Sequence, residues 1–190
     1  MKILSKDDIL DNKEFYINEI LNNKIFVYPT DTLYGIGCLA VSDESVLRIF
    51  EIKNRCKKPL LVIVPDLNWI EDNLVCDKDD IKFMKEKFET QHSFVLELKN
   101  KKVISKYVNN DMNTIGIRYP NCWFRKIIEE LGLPFVTTSV NLSGEESAVK
   151  FEDIDERIIE RVDYVIVDDE NMTGNSSKII SLVERKVLRN

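Results

Sequence analysis

The sequence predicts an α/β or α+β domain built on a mixed sheet, and three observations carry that expectation. Short apolar runs of strand length recur, as in Ile25 to Tyr28, Leu60 to Val64, Phe135 to Thr138 and Tyr164 to Val167. Segments with apolar residues at helical spacing lie between them. Strands and helices alternate, but not strictly, which suggests a mixed sheet. The chain has 190 residues, and we expect 1–190 to form one domain with a full core.

The elements follow in order. Ser5 with Asp7 and Asp8 reads as a helix start, an N-cap followed by first-turn acids, and Ile9, Leu10, Ile17, Ile20 and Leu21 continue it at helical period. Ile25 to Tyr28 is a strand. Ser42-Asp43-Glu44 opens a helix that turns Val46, Leu47, Ile49 and Phe50 inward. Leu60 to Val64, bounded by Pro59 and Pro65, is a buried strand. Asp79 to Phe88 is helical, with Ile81, Met84 and Phe88 on one face. Ser93 to Leu98 and Thr114 to Arg118 are strands. Trp123 to Leu131 is a helix stopped by Gly132. Phe135 to Thr138 is a strand, Phe151 to Val162 a helix and Tyr164 to Val167 a strand. Lys178 to Val183 and Lys186 to Leu188 form a closing strand pair. The polar stretch 168–177, with Gly174, reads as a loop.

Composition narrows the function classes. The net charge of −6 argues against a broad basic face for nucleic acid, so direct RNA contact is expected to be weak or absent. The four cysteines lie far apart, with no C-x-x-C pair, so neither a metal site nor a disulfide framework is expected. The first residues are charged where a signal peptide would be apolar, and no apolar run is long enough to span a bilayer, so a cytoplasmic protein without membrane contact is expected. His92 is the lone histidine and no G-x-S-x-G segment accompanies it, which leaves no Ser-His-Asp hydrolase. Neither a P-loop nor a G-x-G-x-x-G segment is present.

Two segments concentrate the chemistry: Tyr28-Pro29-Thr30-Asp31-Thr32-Leu33-Tyr34-Gly35-Ile36-Gly37 and Thr137-Thr138-Ser139-Val140-Asn141-Leu142-Ser143-Gly144. Each follows a buried strand and crowds hydroxyls and glycines where the strand ends, which is where open α/β sheets place ligands. Such donors suit an oxygen-rich anion. Asp31 either caps a turn or helps order a hydrated metal. Lys53-Asn54-Arg55-Cys56-Lys57-Lys58 brings four cations within six residues of an acidic chain. This run is either a solvated helix end or a phosphate clamp. Gly116, inside the strand that ends at Arg118, marks a close approach. Spacing alone reads Arg189 as an untethered tail.

These segments, in this order, resemble the YrdC/Sua5 family, the L-threonylcarbamoyladenylate synthases of the single-domain bacterial type. The family's Tyr/Phe-Pro-Thr-Asp/Glu-Thr-x-Tyr-Gly-Leu-Gly, Lys-x-Arg, Thr-x-x-x-Arg and Ser-x-Asn-x-Ser-Gly motifs are matched by 28–37, 53–55, 114–118 and 139–144. Ser177-Lys178-Ile179 and Arg189 resemble its C-terminal Ser-Thr-Val/Ile strand and following Arg. The chain departs from the pattern at Cys56, where Pro is usual, at Thr90-Gln91-His92-Ser93, which replaces Pro-Gly-Pro-x-Thr, and at Lys178 in place of Thr.

The resemblance implies a twisted mixed sheet flanked by helices around a large concave site, the YrdC/RibB-like fold. It implies synthesis of threonylcarbamoyl-AMP and pyrophosphate from L-threonine, bicarbonate and ATP with Mg²⁺. The product would pass to the tRNA threonylcarbamoyl transferase complex for the t6A37 modification. It assigns Thr32, Arg118 and Ser177 to threonine. Arg55, Lys58, Thr114, Thr137, Ser139, Ser147 and Arg189 go to the nucleotide, and Lys53, Arg55 and Asn141 to catalysis. The alternative is a non-catalytic paralogue of that fold that binds a nucleotide or RNA.

Overall fold

A strand, not a helix, opens the chain. The computed structural model describes residues 1–55, 58–170 and 172–190. Strand β1 (Lys2–Ser5) runs straight into α1 (Lys6–Asp11). Ser5 is the N-cap expected from the sequence and forms a reciprocal capping box with Asp8. The predicted long first helix breaks at Asn12, whose backbone leaves helical geometry, and resumes as α2 (Lys13–Leu21).

Next come β2 (Phe26–Tyr28), β3 (Gly35–Gly37), α3 (Asp43–Ile52), β4 (Leu61–Ile63), α4 (Leu67–Asn73) and β5 (Leu74–Val75). Then follow α5 (Lys78–Phe88), β6 (His92–Leu98), α6 (Lys106–Asn109), β7 (Thr114–Arg118), α7 (Arg125–Leu131) and β8 (Phe135–Ser139). The chain closes with α8 (Glu156–Ile159), β9 (Tyr164–Val167), β10 (Lys178–Ser181) and β11 (Lys186–Arg189). The single helix expected over 151–162 is instead a 3-10 turn at Phe151–Asp153 followed by α8. Asp155 caps the backbone of Arg157 and starts the helix afresh.

The strands form one twisted mixed sheet in the order β1-β9-β2-β3-β8-β4-β7-β6-β10-β11, with β5 paired to β6. β1, β9 and β2 are parallel, as are β4 with β7 and β6 with β10; the remaining pairs are antiparallel. Side chains alternate between two cores. Val27, Val62 and Val165 join α3, α4, α5 and α8 on one face, whereas Phe26, Tyr28, Ile63 and Tyr164 join α1, α2 and α7 on the other. Both faces are therefore covered, which explains apolar runs without alternation.

The register sets up the site. Gly35 pairs with Ser139, Leu61 with both Thr137 and Gly116, Arg118 with Ser93, and Ile179 with both Ser93 and Arg189. These residues form a staggered row that steps by two residues at β8 and again at β7, on the face that carries Tyr28 and Phe135. Two glycines keep that row close-packed. A Cβ on Gly116 would lie 2.4 Å from a Leu61 methyl carbon, and one on Gly37 would lie 2.1 Å from the Val136 carbonyl oxygen.

Candidate active site

A cavity of about 230 Å³ opens along this row, lined by Thr30, Thr32, Arg55, Arg118, Thr137, Thr138, Ser139, Ser177 and Arg189 together with apolar neighbours such as Leu33, Leu60 and Leu61. Thr30 and Thr32 are buried at the turn between β2 and β3. Thr30 Oγ1 accepts from the backbone N–H groups of Thr32 and Leu33 and donates to the Leu33 carbonyl at 2.7 Å. That local turn, an Asx/ST-type device, is why the hydroxyl-rich segment holds one shape.

Arg118 is the centre of one end. Its Nη2 bonds the carboxylate of Asp31 and donates to Thr32 Oγ1 at 2.7 Å. The second oxygen of Asp31 accepts from the Asn121 backbone N–H at 3.1 Å. Asp31 is thus engaged in orienting the guanidinium. Arg118 Nε is buried and has no hydrogen-bond partner among the described residues. A buried donor left unpaired costs about 1–3 kcal/mol, so this end favours an incoming oxygen acceptor.

Ser177 stands beside it. Its hydroxyl lies 2.8 Å from Ser93 Oγ, and Arg189 donates to its carbonyl at 2.9 and 2.6 Å and to its hydroxyl at 3.2 Å. Arg189 is therefore anchored in β11 rather than in a free tail. Burial and the nearby Arg118 charge lower its pKa.

At the other end Arg55 donates to Thr138 Oγ1 at 3.2 Å, and burial lowers its pKa. Beneath, Tyr28 donates to Thr137 Oγ1 at 2.6 Å, and burial drives the phenol's pKa upward. Thr137 then accepts from below, which frees its own O–H to donate into the cavity.

Lys53 is 2 % exposed. Its ammonium bonds the Ser139 carbonyl, the Asn141 carbonyl at 2.7 Å and Asn141 Oδ1 at 3.1 Å. In return its own carbonyl accepts from the Ser143 N–H at 3.1 Å. Asn141 Oδ1 also accepts from Ser139 Oγ at 2.6 Å, and Nδ2 donates to the carbonyls of Leu142 and Glu145. Lys53 and Asn141 thus tie the end of α3 to the segment after β8. Burial, then the Arg55 charge, lowers the Lys53 pKa to about 7.

Other residues singled out by the sequence lie apart from these walls. Lys58 is exposed and Ser147 half-buried, and neither lines the cavity. Thr114 is on the same strand face as Arg118 but four residues away, roughly 13 Å along the strand. Cys56 and Lys57 of the basic run lie outside the described residues. Sequence reasoning did not single out Thr173 or Ser176, nor assign Gln91 or Ser93 to a contact. Only the departure from the family pattern at 90–93 pointed toward the last two. Among the described residues no helix is long and apolar enough to cross a membrane, and Cys38, Cys76 and Cys122 are free thiols.

Comparison with known proteins follows the same lines. Residues 18–190 match the family described as telomere recombination, Sua5/YciO/YrdC. A Methanocaldococcus jannaschii protein provisionally named threonylcarbamoyl-AMP synthase is 38% identical over 177 residues, covering 92% of this chain and 82% of that protein. The Bacillus subtilis threonylcarbamoyl-AMP synthase is 31% identical over 147 residues, 74% of this chain and 42% of the relative. The crystal structure of P. abyssi Sua5 complexed with L-threonine superposes with a TM-score of 0.86 at 22% identity, over 98% of this chain and 56% of that one. E. coli YciO gives 0.77 at 21% identity, over 100% and 97%. The chain thus spans about half the length of the B. subtilis and P. abyssi proteins, and the structural matches establish the fold. The extent of the sequence match, carried on that fold, shows that this chain belongs to the Sua5/YciO/YrdC family.

Proposed function

We propose that the protein is an L-threonylcarbamoyladenylate synthase, joining L-threonine, bicarbonate and ATP into threonylcarbamoyl-AMP with release of pyrophosphate. One observation supports it above the rest. The cavity sets a buried Arg118, oriented by Asp31 and Thr32 and with Nε unpaired among the described residues, across from Arg55 and a floor of hydroxyls. One end suits a small amino acid's carboxylate and the other a polyphosphate. The names of the curated relatives agree with this reading.

In the proposed reaction the neutral threonine amine adds to bicarbonate with loss of water, and the N-carboxylate so formed attacks the α-phosphorus of ATP in line. Pyrophosphate leaves, and no covalent enzyme intermediate is needed. The protein's task is positioning and charge neutralisation. Arg118 and Thr32 would hold the threonine carboxylate, with Ser177 beside them. Arg55, Thr137 and Ser139 would face the phosphates, with Arg189 holding Ser177 in place. A polyphosphate beside Lys53 would favour its ammonium form and offset the effect of burial. Lys58, Thr114 and Ser147 would reach the nucleotide only where it extends past the cavity.

Mg²⁺ is proposed to arrive with ATP. The lining supplies guanidinium and hydroxyl groups, a donor set suited to phosphate oxygens and not to a protein-held divalent ion, and no step is assigned to the metal. The product is proposed to pass to a tRNA threonylcarbamoyl transferase complex in the cytoplasm, with little direct tRNA contact, and 1–190 is proposed to act as one domain.

The test is pyrophosphate release by the purified protein with ATP, Mg²⁺ and bicarbonate, comparing L-threonine, L-serine and no amino acid. Release that depends on threonine and bicarbonate, with the mass of threonylcarbamoyl-AMP in the mixture, is expected. Tight nucleotide binding without release would instead favour the non-catalytic paralogue.

A further inference from the structure

Residues 172–177 cross the cavity end that holds Arg118, and their anchorage converges on one side chain. Gln91 sits between α5 and β6 with φ of +60°, a left-handed conformation that non-glycine side chains rarely adopt. Its Nε2 donates to the Asp31 carbonyl at 3.2 Å, and its Oε1 accepts from Thr173 Oγ1 at 3.2 Å. Its own carbonyl accepts from the Lys178 N–H at 3.1 Å, where β10 begins. The strap's backbone completes the clasp: Gly174 N–H donates to the Thr32 carbonyl at 2.9 Å, and Thr173 N–H to the Asp31 carbonyl at 3.4 Å. Asp31 and Thr32 therefore orient Arg118 with their side chains while their carbonyls hold the strap. At the strap's end stands Ser177, buried against Ser93 and Arg189.

We infer that Gln91 is a positioning residue for the small-substrate end of the site. It locks the 172–177 strap onto the Asp31–Thr32 turn, so that Thr32, Arg118 and Ser177 face a ligand in one fixed arrangement. Gln91 touches no reacting atom in this account. A loop position that favours glycine is occupied by glutamine because the amide spans two segments at once, donating to one and accepting from the other. The inference rests on the synthase reading for its substrate, and on the structure alone for the clasp.

Gln91→Gly is the telling variant, because glycine adopts the left-handed conformation without strain and only the clasp is lost. Two readouts apply. In ligand-free protein, hydrogen exchange at the Thr173 and Gly174 amides should quicken by about tenfold, as expected for losing two neutral hydrogen bonds. The KM for L-threonine should rise by a similar factor, about tenfold, with kcat and the KM for ATP nearly unchanged. Thr173→Val, which removes the other half of the clasp, should behave alike. Unchanged exchange, or unchanged KM for threonine, in Gln91→Gly would overturn the inference. A wild-type protein without turnover would defeat the synthase reading alone, and the exchange comparison would still decide whether Gln91 holds the strap.

Discussion

The two walls of the cavity are built by opposite means. The wall from the β2–β3 turn is part of the core: Thr30, Asp31 and Thr32 are 4%, 8% and 1% exposed, and the Arg118 they orient is 7% exposed. The facing wall, from 172–177 and β11, stands mostly in solvent; Thr173, Gly174 and every residue of β11 are exposed, and only Ser177 is buried. The first wall is fixed by packing and a buried ion pair. The second is held by polar bonds, to Gln91, to the Asp31 and Thr32 carbonyls and from Arg189, and by the pairing of β11 with β10. One site thus joins a wall set into the core to a wall held at the surface.

The largest expected effect breaks the rigid wall. Arg118→Met leaves the Asp31 carboxylate buried without its cation, and should destabilise the protein by about 3–5 kcal/mol in denaturant unfolding. Asp31→Asn with Arg118→Met should recover much of that loss while threonine binding stays absent. A single variant as stable as wild type would mean that the wall is held by packing alone.

A smaller effect, and on activity alone, is expected where the described residues place no buried ion pair. Arg55 is half-buried and is bonded to Thr138 at 3.2 Å. Arg55→Ala should cost about 2–4 kcal/mol of transition-state stabilisation, seen as a fall of roughly 30-fold to 1,000-fold in kcat/KM. Its unfolding free energy should change by under about 1 kcal/mol. Near-normal product formation by this variant would remove Arg55 from the phosphate end.

The smallest effect concerns the tie between α3 and the 139–143 segment. The Lys53 pKa is lowered from 10.5 to about 7 in the folded protein. Between those values the unfolded chain holds a proton that the folded chain has released. The contribution of Lys53 to stability therefore rises with pH across that window, by at most about 1.4 kcal/mol per pH unit. The difference in unfolding free energy between wild type and Lys53→Met should shift in favour of wild type from pH 7 to pH 9. A difference independent of pH would mean that Lys53 stays an ammonium throughout, held by its three oxygen partners.

The same contrast between walls explains what the sequence reveals. The rigid wall leaves a local trace: hydroxyls and glycines crowd the ends of two apolar strands, and the register then brings Thr32, Arg118, Thr137 and Ser139 to one cavity. Gly37 has its reason in the Val136 carbonyl 2.1 Å from where a Cβ would stand. Strand β3 gives little sequence signal because it has three residues, two of them glycine, and only Ile36 favours a strand. β1 was hidden by its polar, exposed edge. Beyond the departure from the family pattern at 90–93 the clasp leaves no sequence trace, since Gln91 and Thr173 lie far apart in the chain and amide-to-hydroxyl contacts have no pattern. The partners of Lys53 were equally hidden, because a basic residue at a helix end looks the same whether it meets phosphate or backbone carbonyls.

The most direct test separates the two ends by binding. L-threonine and a non-hydrolysable ATP analogue would be titrated calorimetrically into wild type, Thr32→Val and Arg55→Ala. The account predicts that Thr32→Val weakens threonine while sparing the nucleotide, and that Arg55→Ala does the reverse. Loss of both ligands in either variant, or of neither in both, would contradict a cavity with a carboxylate end at Arg118 and a phosphate end at Arg55.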